Sequence, residues 1–258
     1  MMLDSRQNPR FQQVLRLKQR KYRQQQKEFL AEGPLPIKEG LAQKWVLRHL
    51  VFCREMLSPA ATELIADGLP LLEVSPALMK LLADTDTPQG VVGVFGWPDT
   101  ELAGLSGDLL LVVDGLQDPG NIGSVLRTAA AVGVSAVLSL KGSVDLTAPK
   151  VVRASMGGIF QVPWIQNITP AEAADWLGAK GIKPVAMVPG EGTPFHRFDY
   201  SGNLALVVGN EAAGISSEIA DICREGVTIP MPGNTQSLNA SVAVALVLYQ
   251  AAIARKIV

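Results

Sequence analysis

Leu109-Leu-Leu-Val-Val-Asp-Gly-Leu-Gln-Asp-Pro-Gly-Asn-Ile-Gly-Ser-Val-Leu-Arg127 holds an unbroken apolar run ending on an acid, a loop with glycine and proline, and the start of an alanine-rich helix. An apolar run without polar alternation predicts a strand covered on both faces, the pattern of parallel sheets. The helix reads over 121–132 and stops at Gly133. Further strands are predicted at 135–140, 183–188, 203–208 and 226–230. Helices at 147–160, 170–180, 216–223 and 238–256 separate or follow them. Short apolar strands alternating with helices predict an α/β domain built on a parallel sheet.

Upstream the texture differs. Residues 8–29 read as one helix, with Phe11, Val14, Leu15, Lys18 and Tyr22 on a stripe and Pro34 and Pro36 ending it. Helices at 41–50, 59–67 and 75–82 follow, the last with Ser75 as N-cap and Pro76 in the first helical position. Strands are expected at 50–53 and 90–95. The expected organisation is a small α/β unit over 1–97, a linker over 98–108 with Pro98, Gly104, Ser106 and Gly107, and a second domain over 109–258.

A chain of 258 residues, 48% hydrophobic and 18% charged, is long enough to bury a large core, which excludes a wholly disordered protein. Cys53 and Cys223 are too few and too distant for a disulfide scaffold. With His49 and His196 as the sole histidines and no CxxC pair, no zinc site is expected. The longest apolar stretch, 240–254, falls short of the roughly 20 residues of a bilayer span. Without a visible targeting segment, a cytoplasmic location is expected. The net charge of −1 conceals an asymmetry. Residues 1–30 hold eight basic and two acidic residues, against 15 basic and 22 acidic in the remainder. A basic arm on an acidic body points to a polyanion partner for one end.

Three loops after strands of the second domain are unusual: 114–127, 209–214 and 230–241. Ligands of open parallel sheets bind beyond the carboxyl ends of the strands. In the first loop Gly120 and Gly123 permit close backbone approach, with Asn121 as a cap and Arg127 further along the helix. The second sets Glu211 between glycines, and the third offers Ser237 as N-cap, then Asn239 and Ser241. No GxGxxG or GxxxxGK[ST] follows any strand, which argues against dinucleotide and nucleoside-triphosphate enzymes. No GxSxG elbow is present, which argues against an α/β-hydrolase.

Taken in order, the loops resemble the three motifs of the SpoU (TrmH-like) RNA ribose 2′-O-methyltransferases of the SPOUT class. The matching stretches are Asp118-Pro-Gly-Asn-Ile-Gly-Ser-Val-Leu-Arg-Thr-Ala129, Leu206-Val-Val-Gly-Asn-Glu-Ala-Ala-Gly-Ile215, and Ile229-Pro-Met with Ser237-Leu-Asn-Ala-Ser-Val-Ala243. Lys150-Val-Val-Arg-Ala-Ser-Met-Gly157 is similar to the family's second helix. Lys18-Gln-Arg-Lys-Tyr-Arg23, Phe29-Leu-Ala-Glu-Gly33 and Thr87-Pro-Gln-Gly90 are similar to its substrate-binding domain.

The resemblance implies a trefoil-knotted parallel-sheet methyltransferase domain preceded by a small RNA-binding domain. It implies S-adenosyl-L-methionine as cofactor, held around Gly209, Ile229, Met231, Ser237 and Leu238. It also implies a homodimer in which one subunit's first motif completes the other's site. Arg127 is then the key catalytic residue, with Asn121, Glu211 and Asn239. The family proposal makes Arg127 the base; alternatively, charged Arg127 orients a phosphate while Glu211 takes the proton. No metal is implied, since a sulfonium needs no Lewis acid. RNA contacts are expected from Arg16, Lys18, Arg20, Lys21, Arg23, Lys150 and Arg153. The implied substrate is 23S rRNA, with tRNA, or non-catalytic RNA binding, as alternatives.

Overall fold

The computed structural model describes residues 2–66, 68–190 and 192–257, so the expected end of the 59–67 helix at Asp67 lies outside the described residues. The chain forms two compact units, one of 1–99 with 147–161 and one of 100–146 with 162–258. The segment 147–161, read from sequence as part of the second domain, thus clusters with the first.

The N-terminal unit is built on four strands, β1 (Glu28–Glu32), β2 (Leu47–Phe52), β3 (Leu71–Glu73) and β4 (Val91–Gly96), in the order β1-β4-β2-β3. β4 pairs antiparallel with β1 and β2, and β2 pairs parallel with β3. Every residue of β4 is buried. Val92 and Val94 join Phe11, Val14, Leu17 and Met79 in one core. A second core is aromatic: Phe160 lies 5.7 Å from Phe29 and 4.8 Å from Phe95, ring centre to ring centre, and its carbonyl accepts from Trp45 Nε1 at 3.0 Å. Phe160 explains why 147–161 belongs to this unit.

Several local expectations for this unit are corrected. The helix over 8–29 is two helices, Pro9–Arg16 and Arg20–Gln26, followed by β1. Arg23 is 3% exposed and donates through Nη1 to Leu17 O (2.9 Å) and Lys18 O (2.8 Å), closing the corner between them. Lys27 takes a left-handed conformation (φ 54°) and ends the second helix. Pro34 and Pro36 open a helix, Pro34–Ala42, because a helix start needs no N–H from its first residues. The expected 41–50 helix is instead the end of that helix and the start of β2. The 147–160 helix is broken into Pro149–Ala154 and Gly158–Gln161 by positive φ at Met156 and Gly157.

The C-terminal unit carries β5 (Leu109–Val113), β6 (Ala136–Leu140), β7 (Trp164–Ile168), β8 (Lys183–Met187), β9 (Thr193–Pro194), β10 (Leu204–Val208) and β11 (Glu225–Thr228), in the order β7-β6-β5-β10-β8-β11-β9. All neighbours pair parallel. β5, β6 and β10 are buried throughout, as their unbroken aliphatic sequences demand. From β5 the chain moves outward to β6 and β7, then returns to lay β8, β10 and β11 on the other side. β5 and β10 therefore meet at the point where the winding reverses. The helices Pro119–Val132 and Ala240–Ala254 pack together in this unit. Their caps differ from expectation. Asp118, not Asn121, caps the first, its Oδ1 accepting from Asn121 N at 2.8 Å. Asn239, not Ser237, caps the second, its Oδ1 accepting from Ser241 N and Val242 N.

Candidate functional site

The loops leaving β5 and β10 are tied at their roots. Asp114 is 6% exposed, and its Oδ2 accepts from both Ser216 N and Ser216 Oγ at 2.7 Å. Gly115 O accepts from Asn210 Nδ2 at 2.8 Å. Asn210 and Gly214 exchange backbone bonds, so the chain folds back at once on leaving β10. Gly209 makes that possible, since a Cβ there would sit 2.4 Å from the Gly214 carbonyl carbon.

A cleft of about 780 Å³ opens beyond the carboxyl ends of β8, β10 and β11, within the usual range for small-molecule sites. All five residues expected around a cofactor, Gly209, Ile229, Met231, Ser237 and Leu238, line it, and so does Glu211. Sequence reading missed Met187, Val188, Pro189 and Gly192, which form a wall after β8. The signal was present: a proline and two glycines (Gly190, Gly192) directly follow an apolar strand. Cys223 also borders the cleft, and burial, reinforced by the Asp114 charge, raises its thiol to about 11.

A hydrogen-bond chain joins the three loops. Asn239 Nδ2 donates to Asn121 Oδ1 at 2.9 Å, and Asn121 Nδ2 donates to Glu211 Oε1 at 2.8 Å. Asn239 Oδ1 is held by Ser241 Oγ at 2.7 Å. Three of the four expected catalytic residues thus touch. The fourth does not join them: Arg127 is exposed and its side chain has no hydrogen bond or ion pair among the described residues. The asparagines orient Glu211 and each other, not Arg127.

The expected RNA contacts divide. Arg16, Arg20 and Lys21 are exposed, with the Arg16 guanidinium 5.5 Å and Lys21 Nζ 6.0 Å from the Tyr22 ring centre. Lys18 Nζ donates to Ala83 O at 2.8 Å, and Arg23 is buried. Lys150 is exposed, whereas Arg153 pairs with Asp84 at 2.8 Å. Burial thus removes Arg23 from the expected RNA-facing set.

Comparison with known proteins agrees with this architecture. Residues 108–249 match the model of the SpoU rRNA Methylase family, and residues 8–93 match that of the MRM3-like substrate binding domain. The chain belongs to the SpoU rRNA methylase family. It is 29% identical to the 23S rRNA (guanosine(2553)-2′-O)-methyltransferase RlmP of Bacillus subtilis, over 96% of this chain and 97% of that one. It is 34% identical to the 23S rRNA (uridine(2479)-2′-O)-methyltransferase of Streptomyces viridochromogenes, over 95% and 89%. The crystal structure of the SpoU methyltransferase AviRb from Streptomyces viridochromogenes, in complex with the cofactor AdoMet, superposes with a TM-score of 0.89 at 32% identity, covering 97% of this chain and 99% of that one.

Proposed function

We propose that the protein is an S-adenosylmethionine-dependent methyltransferase that modifies a ribose 2′-hydroxyl of 23S rRNA. The observation that carries the reading is the cleft lined by Gly209, Ile229, Met231, Ser237 and Leu238, with the Glu211–Asn121–Asn239 chain among the same loops. The names of the relatives matched along nearly the whole chain support rRNA as the substrate.

The cleft fits the cofactor by its size and by its apolar lining of Ile229, Met231, Leu238 and Val247, with backbone groups at Gly209 and Gly214. When bound, S-adenosylmethionine supplies an electrophilic sulfonium methyl group. The protein must then unmask a weak nucleophile, the ribose hydroxyl, by taking its proton. Glu211 suits that role. One carboxylate oxygen is anchored by Asn121, and Oε2 has no partner among the described residues. Arg127 suits the other role. Its unpaired planar guanidinium grips a phosphate and steadies a developing alkoxide.

The same reading makes the protein a homodimer, located in the cytoplasm, with the trefoil knot that the family implies. The helix Ala240–Ala254 buries Val244, Val247, Leu248 and Ala251 on one side. Its other side leaves Val242, Leu246, Tyr249 and Ile253 between 40% and 56% exposed. Ser124 and Thr128 border the same apolar groove, beside Arg127. That face is the one the homodimer reading assigns to a second copy. No helix of the described residues is long and apolar enough to cross a membrane.

The test is nucleoside mass spectrometry of 23S rRNA from cells with and without the gene, followed by restoration with purified protein and S-adenosylmethionine. One 2′-O-methylated nucleotide should vanish and return. Unchanged rRNA with a lost methylation in tRNA would overturn the substrate assignment.

A further inference from the structure

We infer that Asn210 is the positioning residue for Glu211, acting by locking the 210–214 loop against the end of β5. The inference rests on reading the cleft as a methyl-transfer site. Both ends of the Asn210 amide are occupied by protein. Oδ1 accepts from Ala212 N and Ala213 N, each at 2.9 Å, and Nδ2 donates to Gly115 O at 2.8 Å. Its main chain closes the loop, N to Gly214 O at 2.8 Å and O from Gly214 N at 2.9 Å.

Among the described residues, the remaining ties on this loop are polar as well: Asn121 Nδ2 on Glu211 and Asp114 on Ser216. Glu211, Ala212, Ala213 and Gly214 are all exposed, so no buried side chain anchors it. Such a segment keeps one conformation only through its hydrogen bonds, and loosely held loops sample others. The consequence falls on Glu211. Its carboxylate meets Asn121 only while the loop keeps this form. The loop's other end is pinned by Asp114, which holds Ser216. Asn210 and Asp114 therefore fix the loop from its two ends, at the junction of β5 and β10. Removing Asn210 frees two exposed N–H groups, which water satisfies, and the half-buried Gly115 carbonyl. The core stays intact while the carboxylate loses its place.

The experiment compares wild type, Asn210→Ala and Asn210→Ser. It measures melting temperature, calorimetric affinity for S-adenosylhomocysteine, and kcat and KM for methyl transfer from S-adenosylmethionine to unmodified 23S rRNA. Asn210→Ala should melt close to wild type, and its kcat should fall about a hundredfold, the cost of misplacing a catalytic group by about an ångström. KM for RNA should change little. Serine accepts from the N–H two residues on, so Asn210→Ser should recover part of the kcat. An unchanged kcat in Asn210→Ala, or a lower melting temperature with full activity per folded molecule, would overturn the inference. If the alanine variant does not fold, a wild-type kcat in the serine variant overturns it alone. Wild-type protein that fails to bind S-adenosylhomocysteine would instead overturn the methyltransferase reading.

Discussion

Asn239 donates from Nδ2 to Asn121 Oδ1 at 2.9 Å, across 118 positions of sequence. The same Asn239 caps the helix Ala240–Ala254 through Oδ1. One side chain therefore serves stability with its oxygen and the site with its nitrogen, and substitution can separate the two. Asn239→Asp keeps an excellent N-cap but loses the donor and faces Asn121 Oδ1 with a second acceptor. It should melt at or above the wild-type temperature while kcat falls at least about tenfold. Asn239→Ala should lose both, with about 1 kcal/mol of stability from the cap. A fully active Asn239→Asp would show that the bridge to Asn121 is idle in catalysis.

Arg127 offers the opposite case. It is exposed and unpaired among the described residues, so Arg127→Ala should change stability by no more than about 0.5 kcal/mol. The five cofactor candidates line a cleft that excludes Arg127, so affinity for S-adenosylhomocysteine should hold as well. Methyl transfer should nonetheless collapse. Arg127→Lys should also fail, because an ammonium lacks the planar fork that holds phosphate at two points. An Arg127→Ala protein with cofactor affinity reduced in proportion to its rate would place Arg127 in the cleft.

Cys223 gives a readout of cleft occupancy. Burial is the main cause that raises its thiol to about 11, with the Asp114 charge second. A raised pKa keeps it protonated, and therefore a poor nucleophile, at neutral pH. Alkylation by iodoacetamide should be slow at pH 7.5 and accelerate as pH approaches 11. Because Cys223 borders the cleft, S-adenosylhomocysteine should slow the reaction further. Peptide mass spectrometry locates the adduct; rapid labelling at neutral pH, unaffected by S-adenosylhomocysteine, would contradict this placement.

Sequence and structure agree best where one chemical pattern dominates. The aliphatic runs of β5 and β10 read correctly because a strand covered on both faces has few other sequences available. The three loops stand out because glycine and capping residues cluster after those strands, although the capping residues are Asp118 and Asn239. The N-terminal unit was harder. The stripe from Phe11 to Tyr22 has helical spacing, but Arg23 bonding to Leu17 and Lys18 carbonyls breaks it, and no spacing rule announces a buried arginine. Trp164–Ile168 went unread as a strand because Gln166 and Asn167 interrupt its apolar pattern. The partnership of Asn121 with Glu211 spans 90 positions, and no local reading reports it.

The exposed stripe of Val242, Leu246, Tyr249 and Ile253 follows the spacing of one helix face. If a second copy covers it, a charge there should separate the copies without unfolding either. Leu246→Glu is the simplest choice, since Leu246 lies mid-helix and is 40% exposed. Light scattering should give wild type twice the 27.5 kDa chain mass and Leu246→Glu the single mass. Activity should fall with the dimer while S-adenosylhomocysteine binding falls less. A wild-type protein of single mass at micromolar concentration would refute the dimer.

The basic arm makes the last prediction, and the structure sharpens which residues carry it. Arg16, Arg20 and Lys21 are exposed, Arg16 and Lys21 beside the Tyr22 ring, whereas Lys18 donates to Ala83 O and Arg23 is buried against two carbonyls. Only groups that reach phosphate release counterions. Neutralising one such group should flatten the slope of log affinity against log salt by about 0.7–0.9. Replacing Arg16, Arg20 and Lys21 with glutamine should therefore weaken binding to an rRNA fragment and reduce the salt slope by roughly two units. Arg23→Gln should act differently. It leaves the buried Leu17 carbonyl and the half-buried Lys18 carbonyl short of a donor, costing about 1–3 kcal/mol of stability, and leaves the slope of the folded fraction unchanged. Filter binding at several salt concentrations, paired with thermal melts, separates the two effects. A triple variant with the wild-type slope would show that the arm does not touch RNA. A reduced slope in Arg23→Gln at full stability would show that its guanidinium leaves its carbonyl partners to meet the substrate.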